Sequence, residues 1–259
     1  PVRVGVFSQL VVCRPDDSPA ADPLHKVHHS PHRAGFYRLC DSDDVSRFEP
    51  PVTPLGDALE TLPVIGILRG CPPQHAEALA AAAVESGLTA LEVTQDSPEP
   101  VAVMKTIAAR HPNVAVGAGT VLTSSQAQAV AASGAAFLVS PAIIPEVIAV
   151  ASEWELDMVP GAATPTEVRR ALDLGASLVK LFPAAPLGGP AYVSAILAPL
   201  GRPRLVPTGG VGPGNAAAFL DAGAAALGVG GAIFPKSALT AGDAADVAAR
   251  CRSLVAALR

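Results

Sequence analysis

From about Thr53 to the C-terminus, short β-branched or apolar runs alternate with Ala-rich stretches of helical length, and the joints are Gly, Pro, Ser and Thr. Eight runs read as strands: VIGIL (64–68), LTALEVT (88–94), VAVGAG (114–119), AAFLVS (135–140), LDMVP (156–160), SLVKLF (177–182), RLVPTG (204–209) and AALGVGG (225–231). Helices are expected near 73–86, 98–111, 123–133, 144–154, 165–174, 190–199 and 213–222, closed by 241–258. Pro72 and Pro73 suit a first helical turn, Thr164-Pro165-Thr166-Glu167 reads as a capping box, and Gly87, Gly134, Gly175 and Gly223 stand where helices should stop. Eight strand–helix units in about 200 residues predict an α/β chain folded as a (β/α)8 TIM barrel. An open doubly wound sheet is the competing arrangement. Its first strand usually leads into G-x-G-x-x-G, which GILRGCPP (66–73) does not supply.

The first 52 residues are a different kind of chain. They hold 13 of the 41 charged residues, four of the six histidines (in HKVHHSPH, His25 to His32) and seven prolines. We read residues 1–52 as an N-terminal extension, irregular or partly disordered, and 53–259 as the barrel. Residues 2–13 could add a strand, and a loose His cluster in a Pro- and Asp-rich stretch is more often solvated than metal-bound.

Composition narrows the function classes. Half the chain is hydrophobic but only 4% is aromatic, and the net charge is −5 with no basic run longer than Arg169-Arg170. That argues against nucleic acid, which wants cations interleaved with stacking aromatics. No apolar stretch of about 18 residues runs uninterrupted, so no membrane span is expected. The N-terminal PVRVGVFSQLVVC lacks a basic segment followed by a long apolar one. Cys13, Cys40, Cys71 and Cys251 show no metal-ligand spacing. The expectation is a soluble, cytoplasmic protein.

In a barrel whose strands are covered outside and packed inside, a charge in mid-strand needs a reason. Of the three lysines after residue 53, Lys105 belongs to a helix and Lys236 follows a proline in a loop, whereas Lys180 interrupts SLVKLFPA. If Val179 and Leu181 face the helices, Lys180 and Phe182 face the barrel interior. A lysine snorkelling to solvent is the plain alternative. An amine stripped of water on an inner wall is a nucleophile for a carbonyl. Glu92 interrupts LTALEVT in the same way, and strands two and six lie opposite each other in a ring of eight, so the two side chains should converge. That pair suits imine chemistry, the amine attacking and the carboxylate moving protons, although a structural Lys–Glu pair stays open. Gly209-Gly210 and Gly230-Gly231 end strands seven and eight, the habitual phosphate-binding corner of barrels; simple turns are the other reading.

The motifs LPVIGILRG, LEVT, VGAGTVL, VSPA, PGAATPTE, VKLFPA, PTGGV and VGGAIF, in register from about Leu62 to Pro235, resemble the class I aldolases of 2-keto-3-deoxy-6-phosphogluconate (KDPG) and 4-hydroxy-2-oxoglutarate, with their phosphogalactonate-cleaving relatives. The resemblance implies cleavage to pyruvate and glyceraldehyde 3-phosphate through an imine on Lys180, with Glu92 as general acid and base. It implies that Thr120 helps hold the pyruvyl carboxylate, Phe182 packs against the pyruvyl group, Pro141 shapes the wall, Arg69 and Thr208 bind substrate, and Gly209, Gly210, Gly230 and Gly231 take the phosphate. It implies no metal, no cofactor and a homotrimer.

Two departures bear on specificity. Where the phosphogluconate enzymes carry an arginine two positions past LEVT, this chain has Asp96, whereas Arg69 in ILRG matches the carboxylate-binding arginine of the phosphogalactonate relatives. Those relatives lack the threonine of PTGG, present here as Thr208. Ala232 also replaces a serine common after the strand-eight glycines, removing one hydroxyl from the phosphate end. Phosphogalactonate and unphosphorylated 4-hydroxy-2-oxoglutarate substrates thus stay open. So does a different class, a phosphate-binding barrel isomerase or synthase that forms no imine, and a barrel that binds a sugar acid without catalysis.

Overall fold

The computed structural model describes residues 53–259; the expectations for residues 1–52 lie outside the described residues. The chain enters through α1 (Pro54–Thr61), then β1 (Val64–Leu68), α2 (Pro73–Glu85), β2 (Ala90–Thr94), α3 (Pro100–Arg110), β3 (Ala115–Gly119), α4 (Ser124–Ala131), β4 (Phe137–Val139) and α5 (Pro145–Glu153). It continues through β5 (Asp157–Val159), β6 (Gly161–Ala162), α6 (Pro165–Asp173), β7 (Val179–Leu181), α7 (Gly189–Leu197), β8 (Leu205–Pro207), α8 (Ala216–Asp221), β9 (Leu227–Val229), α9 (Lys236–Ala241) and α10 (Ala244–Ala256). Among the described residues, no helix is long and apolar enough to cross a membrane.

All strand pairs are parallel, in the orders β5-β4-β3-β2-β1-β9 and β6-β7-β8. Two joints turn these sheets into a ring. The predicted strand 156–160 is β5, and past Pro160, which has no N–H to give to a ladder, the chain pairs again as β6 beyond the predicted end; β8 meets β9 through a bridge between Thr208 and Gly228. The result is the expected (β/α)8 barrel.

The strands are buried on both faces, as a helix-wrapped parallel sheet requires. Outward residues such as Val64, Leu91, Val93, Leu138, Val179 and Leu181 join the helix-packed core. Inward residues, among them Ile65, Ala90, Ala115, Phe137, Leu178 and Val206, form a second apolar cluster with Leu55, Ala58 and Leu59 of α1. That helix was not expected from the periodicity. It plugs the end of the barrel where the strands begin, and Thr89, just ahead of β2, donates its hydroxyl to the Ala58 carbonyl at 2.7 Å. Phe137 fills this floor because its neighbour is Gly117, where a Cβ would lie 2.6 Å from the ring.

The joints follow local chemistry. Thr53 caps α1 ahead of Pro54 at its first turn. The expected capping box on α6 is present: Glu167 accepts from the backbone N–H groups of Ala163 and Thr164 at 2.8 and 2.9 Å, and these bonds hold its carboxyl below the ordinary range. The last predicted helix, 241–258, is α10, and a short helix the periodicity did not predict, α9, precedes it and ends where Gly242 adopts a left-handed conformation.

Candidate active site

The site is built at the end where the strands finish. β7 pairs Lys180 with Gly161 on one side and Val206 on the other, so its direction is fixed by two neighbours. Val179 and Leu181 are buried against the helices, and Lys180, only 5% exposed, lines an interior cavity of about 1110 Å³. Its amine nitrogen lies 5.6 Å from the centroid of the Phe182 ring, which is partly exposed in the same cavity. The alternation read from SLVKLF therefore holds, and Lys180 is not a lysine snorkelling to bulk water.

Glu92 is buried on the inner face at the same end, whereas the inward Asp157, paired in register with Phe137, lies at the floor and accepts from Ser177 at 2.8 Å. The register partners of Glu92 are Ile67 and Gly117, and its carboxylate lies across β3 over Gly119, where a Cβ would come within 1.7 Å of Oε1. Only a glycine leaves that space. Glu92 is 2% exposed and its Oε1 accepts no hydrogen bond, a costly state for a buried carboxylate. The expected convergence with Lys180 is incomplete here. No nitrogen–oxygen contact within 4 Å joins the two, because the carboxylate rests over Gly119 instead.

Arg69, one residue past β1, lines the mouth of the cavity. Its guanidinium pairs with the Asp96 carboxylate and donates to Thr120 Oγ1 at 3.0 Å. Asp96, the residue that breaks the expected pattern, therefore holds Arg69 in place. Thr120 carries φ of 56°, a left-handed value uncommon for a non-glycine residue, at the end of β3. With its oxygen accepting from Arg69, its own O–H is free to donate into the cavity.

Thr208, Gly209, Gly210, Gly230 and Gly231 all line the cavity, as does Pro141. Thr208 is buried and donates to the Val206 carbonyl at 3.2 Å; its side chain fills the space over Gly228, where a Cβ would lie 2.1 Å from Oγ1. Asn215 braces the first glycine loop, donating to the Gly210 carbonyl at 2.8 Å and accepting from Gly212 N–H at 2.9 Å. The N–H groups of Gly210, Val211, Gly231 and Ala232 donate to no acceptor among the described residues. Among those residues no group of three or more His, Cys, Asp and Glu side chains could hold a metal ion. Burial pushes the Cys71 thiol, beside the mouth, up to about 11, and that of Cys251 to about 12, so both are protonated at neutral pH.

Among the described residues, the polar lining side chains that escaped the sequence reading are Asn215, Lys236 and Thr240. Lys236 is not in a loop but at the start of α9. Its signal would have been proximity to the second glycine pair, only five residues earlier.

The family described as "Aldolase: KDPG and KHG aldolase" matches residues 55–250. The chain belongs to that family. It is 39% identical over 183 residues to a probable 2-dehydro-3-deoxy-6-phosphogalactonate aldolase of Rhizobium meliloti, covering 70% of this chain and 85% of that protein. It is also 39% identical over 194 residues to a 2-dehydro-3-deoxy-phosphogluconate aldolase of Treponema pallidum, covering 74% and 92%. The crystal structure of a KDPG aldolase from Legionella pneumophila, with pyruvate captured as a covalent carbinolamine, superposes with a TM-score of 0.71 at 28% identity over 78% of this chain and 98% of that one. This KDPG and KHG aldolase family member is accordingly an aldolase, a carbon–carbon lyase.

Proposed function

We propose that the chain cleaves a 2-keto-3-deoxy-6-phospho sugar acid to pyruvate and glyceraldehyde 3-phosphate through an imine on Lys180. The observation that carries this reading is a buried lysine on the inner wall of the barrel, opening into a cavity large enough for the whole substrate. The amine of Lys180 adds to the C2 carbonyl, and loss of water gives the protonated imine. A base then takes the proton of the C4 hydroxyl, the C3–C4 bond breaks, and its electrons run into the imine to leave an enamine and the aldehyde. Protonation at C3 and hydrolysis release pyruvate and free the amine.

Glu92 is the proton carrier in this scheme. Its partnerless Oε1 is an acceptor awaiting a hydroxyl or a water, and moving off Gly119 toward Lys180 would supply that partner. Arg69 and the Thr120 hydroxyl offer the pyruvyl carboxylate adjacent donors, Phe182 and Pro141 give its methyl side an apolar wall, and Thr208 with the two glycine loops receives the phosphate end.

A second reading concerns the sugar. Arg69 hydrogen-bonded to Thr120 at the mouth matches the phosphogalactonate pattern and favours that epimer, while the missing hydroxyl at Ala232 favours tolerance of 4-hydroxy-2-oxoglutarate. The deciding assay is pyruvate release from each of the three substrates. Release from none of them would remove the reading. The proposal extends to a cytoplasmic homotrimer, with the exposed Leu122 and Trp154 as apolar side chains available for an interface; equilibrium sedimentation at three times the chain mass checks the trimer.

A further inference from the structure

Among the described residues three cationic side chains line the cavity, and they are not equivalent. Lys180 is buried on the inner wall. Arg69 is already neutralised by Asp96. Lys236 is exposed at the rim and has no carboxylate within 4 Å among the described residues. It follows the Gly230–Ala232 turn, and Thr240, four positions later on α9, lines the cavity from the same helix face.

The substrate of the proposed reaction has two anionic ends of unequal charge, a monoanionic carboxylate and a phosphate ester carrying about −1.5 to −2 near pH 7. A site for the heavier charge needs an uncompensated cation and free N–H donors. The Lys236 end has both: the unpaired ammonium, the Thr240 hydroxyl, and the N–H groups of Gly210, Val211, Gly231 and Ala232. The Arg69 end, with Asp96 subtracting its charge, suits a single carboxylate.

We propose that Lys236 is a specificity-determining residue that receives the distal dianion, and that the Arg69–Asp96 pairing makes the opposite end a poor place for it. The ammonium then offsets the hydroxyl missing at Ala232, and the cavity binds its substrate in one direction. This inference rests on the aldolase reading of the site.

The test is aldol addition of pyruvate to glyceraldehyde 3-phosphate and, separately, to uncharged glyceraldehyde, comparing KM for the two acceptors. Lys236→Gln should raise KM for the phosphorylated acceptor about tenfold relative to the uncharged one, the size of a charge-assisted hydrogen bond at a wet site. Lys236→Arg should restore the ratio to within about threefold, since charge is what matters. An unchanged ratio in Lys236→Gln, or an equal loss with both acceptors, overturns the assignment, as does a Lys236→Arg variant no better than the glutamine one. Borohydride trapping of pyruvate separates the two layers. Absence of trapping in the parent chain removes the aldolase reading itself, whereas trapping with an unmoved acceptor ratio removes only the role of Lys236.

Discussion

The two ends of the barrel are made by the same strands and obey opposite rules. At the floor, inward positions are Ile65, Ala90, Ala115, Phe137 and Leu178, sealed by Leu55, Ala58 and Leu59 of α1. A few residues further along, at about 3.3 Å of rise each, the inward positions become Glu92, Lys180 and Thr208. Small residues shape both ends, Gly117 admitting the Phe137 ring and Gly119 and Gly228 admitting Glu92 and Thr208. The floor uses that space to close apolar packing. The mouth uses it to bury polar groups that the fold leaves partly unsatisfied, notably Glu92 Oε1, and to hold Thr120 in a left-handed conformation. The floor has one polar exception, Asp157 beside Phe137, which accepts from Ser177 through one oxygen and leaves the other without a partner among the described residues.

Substitutions at the two ends should separate activity from stability. The largest effect is expected for Lys180→Met, which should lower cleavage by more than about four orders of magnitude while leaving the melting temperature equal or higher, because an apolar side chain of similar length replaces a buried amine. Steady-state kinetics and calorimetry on one preparation measure both. Phe137→Ala should do the reverse, costing about 3–5 kcal/mol of stability and leaving KM of the folded fraction unmoved. A shifted KM there would mean that floor and mouth are coupled.

Glu92→Gln sharpens the contrast within the mouth. It keeps size and hydrogen bonding but not proton transfer, so pyruvate should still be captured while exchange of its methyl protons, followed by NMR in deuterium oxide, slows by about two to four orders of magnitude. Unchanged exchange would assign proton transfer elsewhere. Arg69→Ala is the smallest of the set. Because Arg69 is half-exposed and shared with Asp96, its loss should weaken pyruvate-bearing substrates by about 1–2 kcal/mol, read as a rise in KM with kcat nearly constant.

The strands were legible because each is a short apolar run between turn residues, and the inner and outer faces of SLVKLF and LTALEVT followed from alternation alone. Lys180 and Glu92 stood out for the same reason: a charge inside such a run has few explanations. Helix α1 was missed because its eight residues carry too short an apolar stripe, although Thr53-Pro54 is a start signal in retrospect. The break at Pro160 was visible as a proline but not as a joint between two ladders. Contacts across the mouth were out of reach of any local pattern, since Arg69 and Asp96 are 27 residues apart and Arg69 and Thr120 are 51 apart.

The central claim, that Lys180 forms an imine with a keto acid, is tested most directly by mass spectrometry of the protein reduced with borohydride in the presence of pyruvate. The account predicts a single added pyruvyl-derived group, mapped to the peptide containing Lys180, unmodified Lys105 and Lys236, and no addition in Lys180→Met. Addition at another lysine, or none at all in the parent chain, would contradict it.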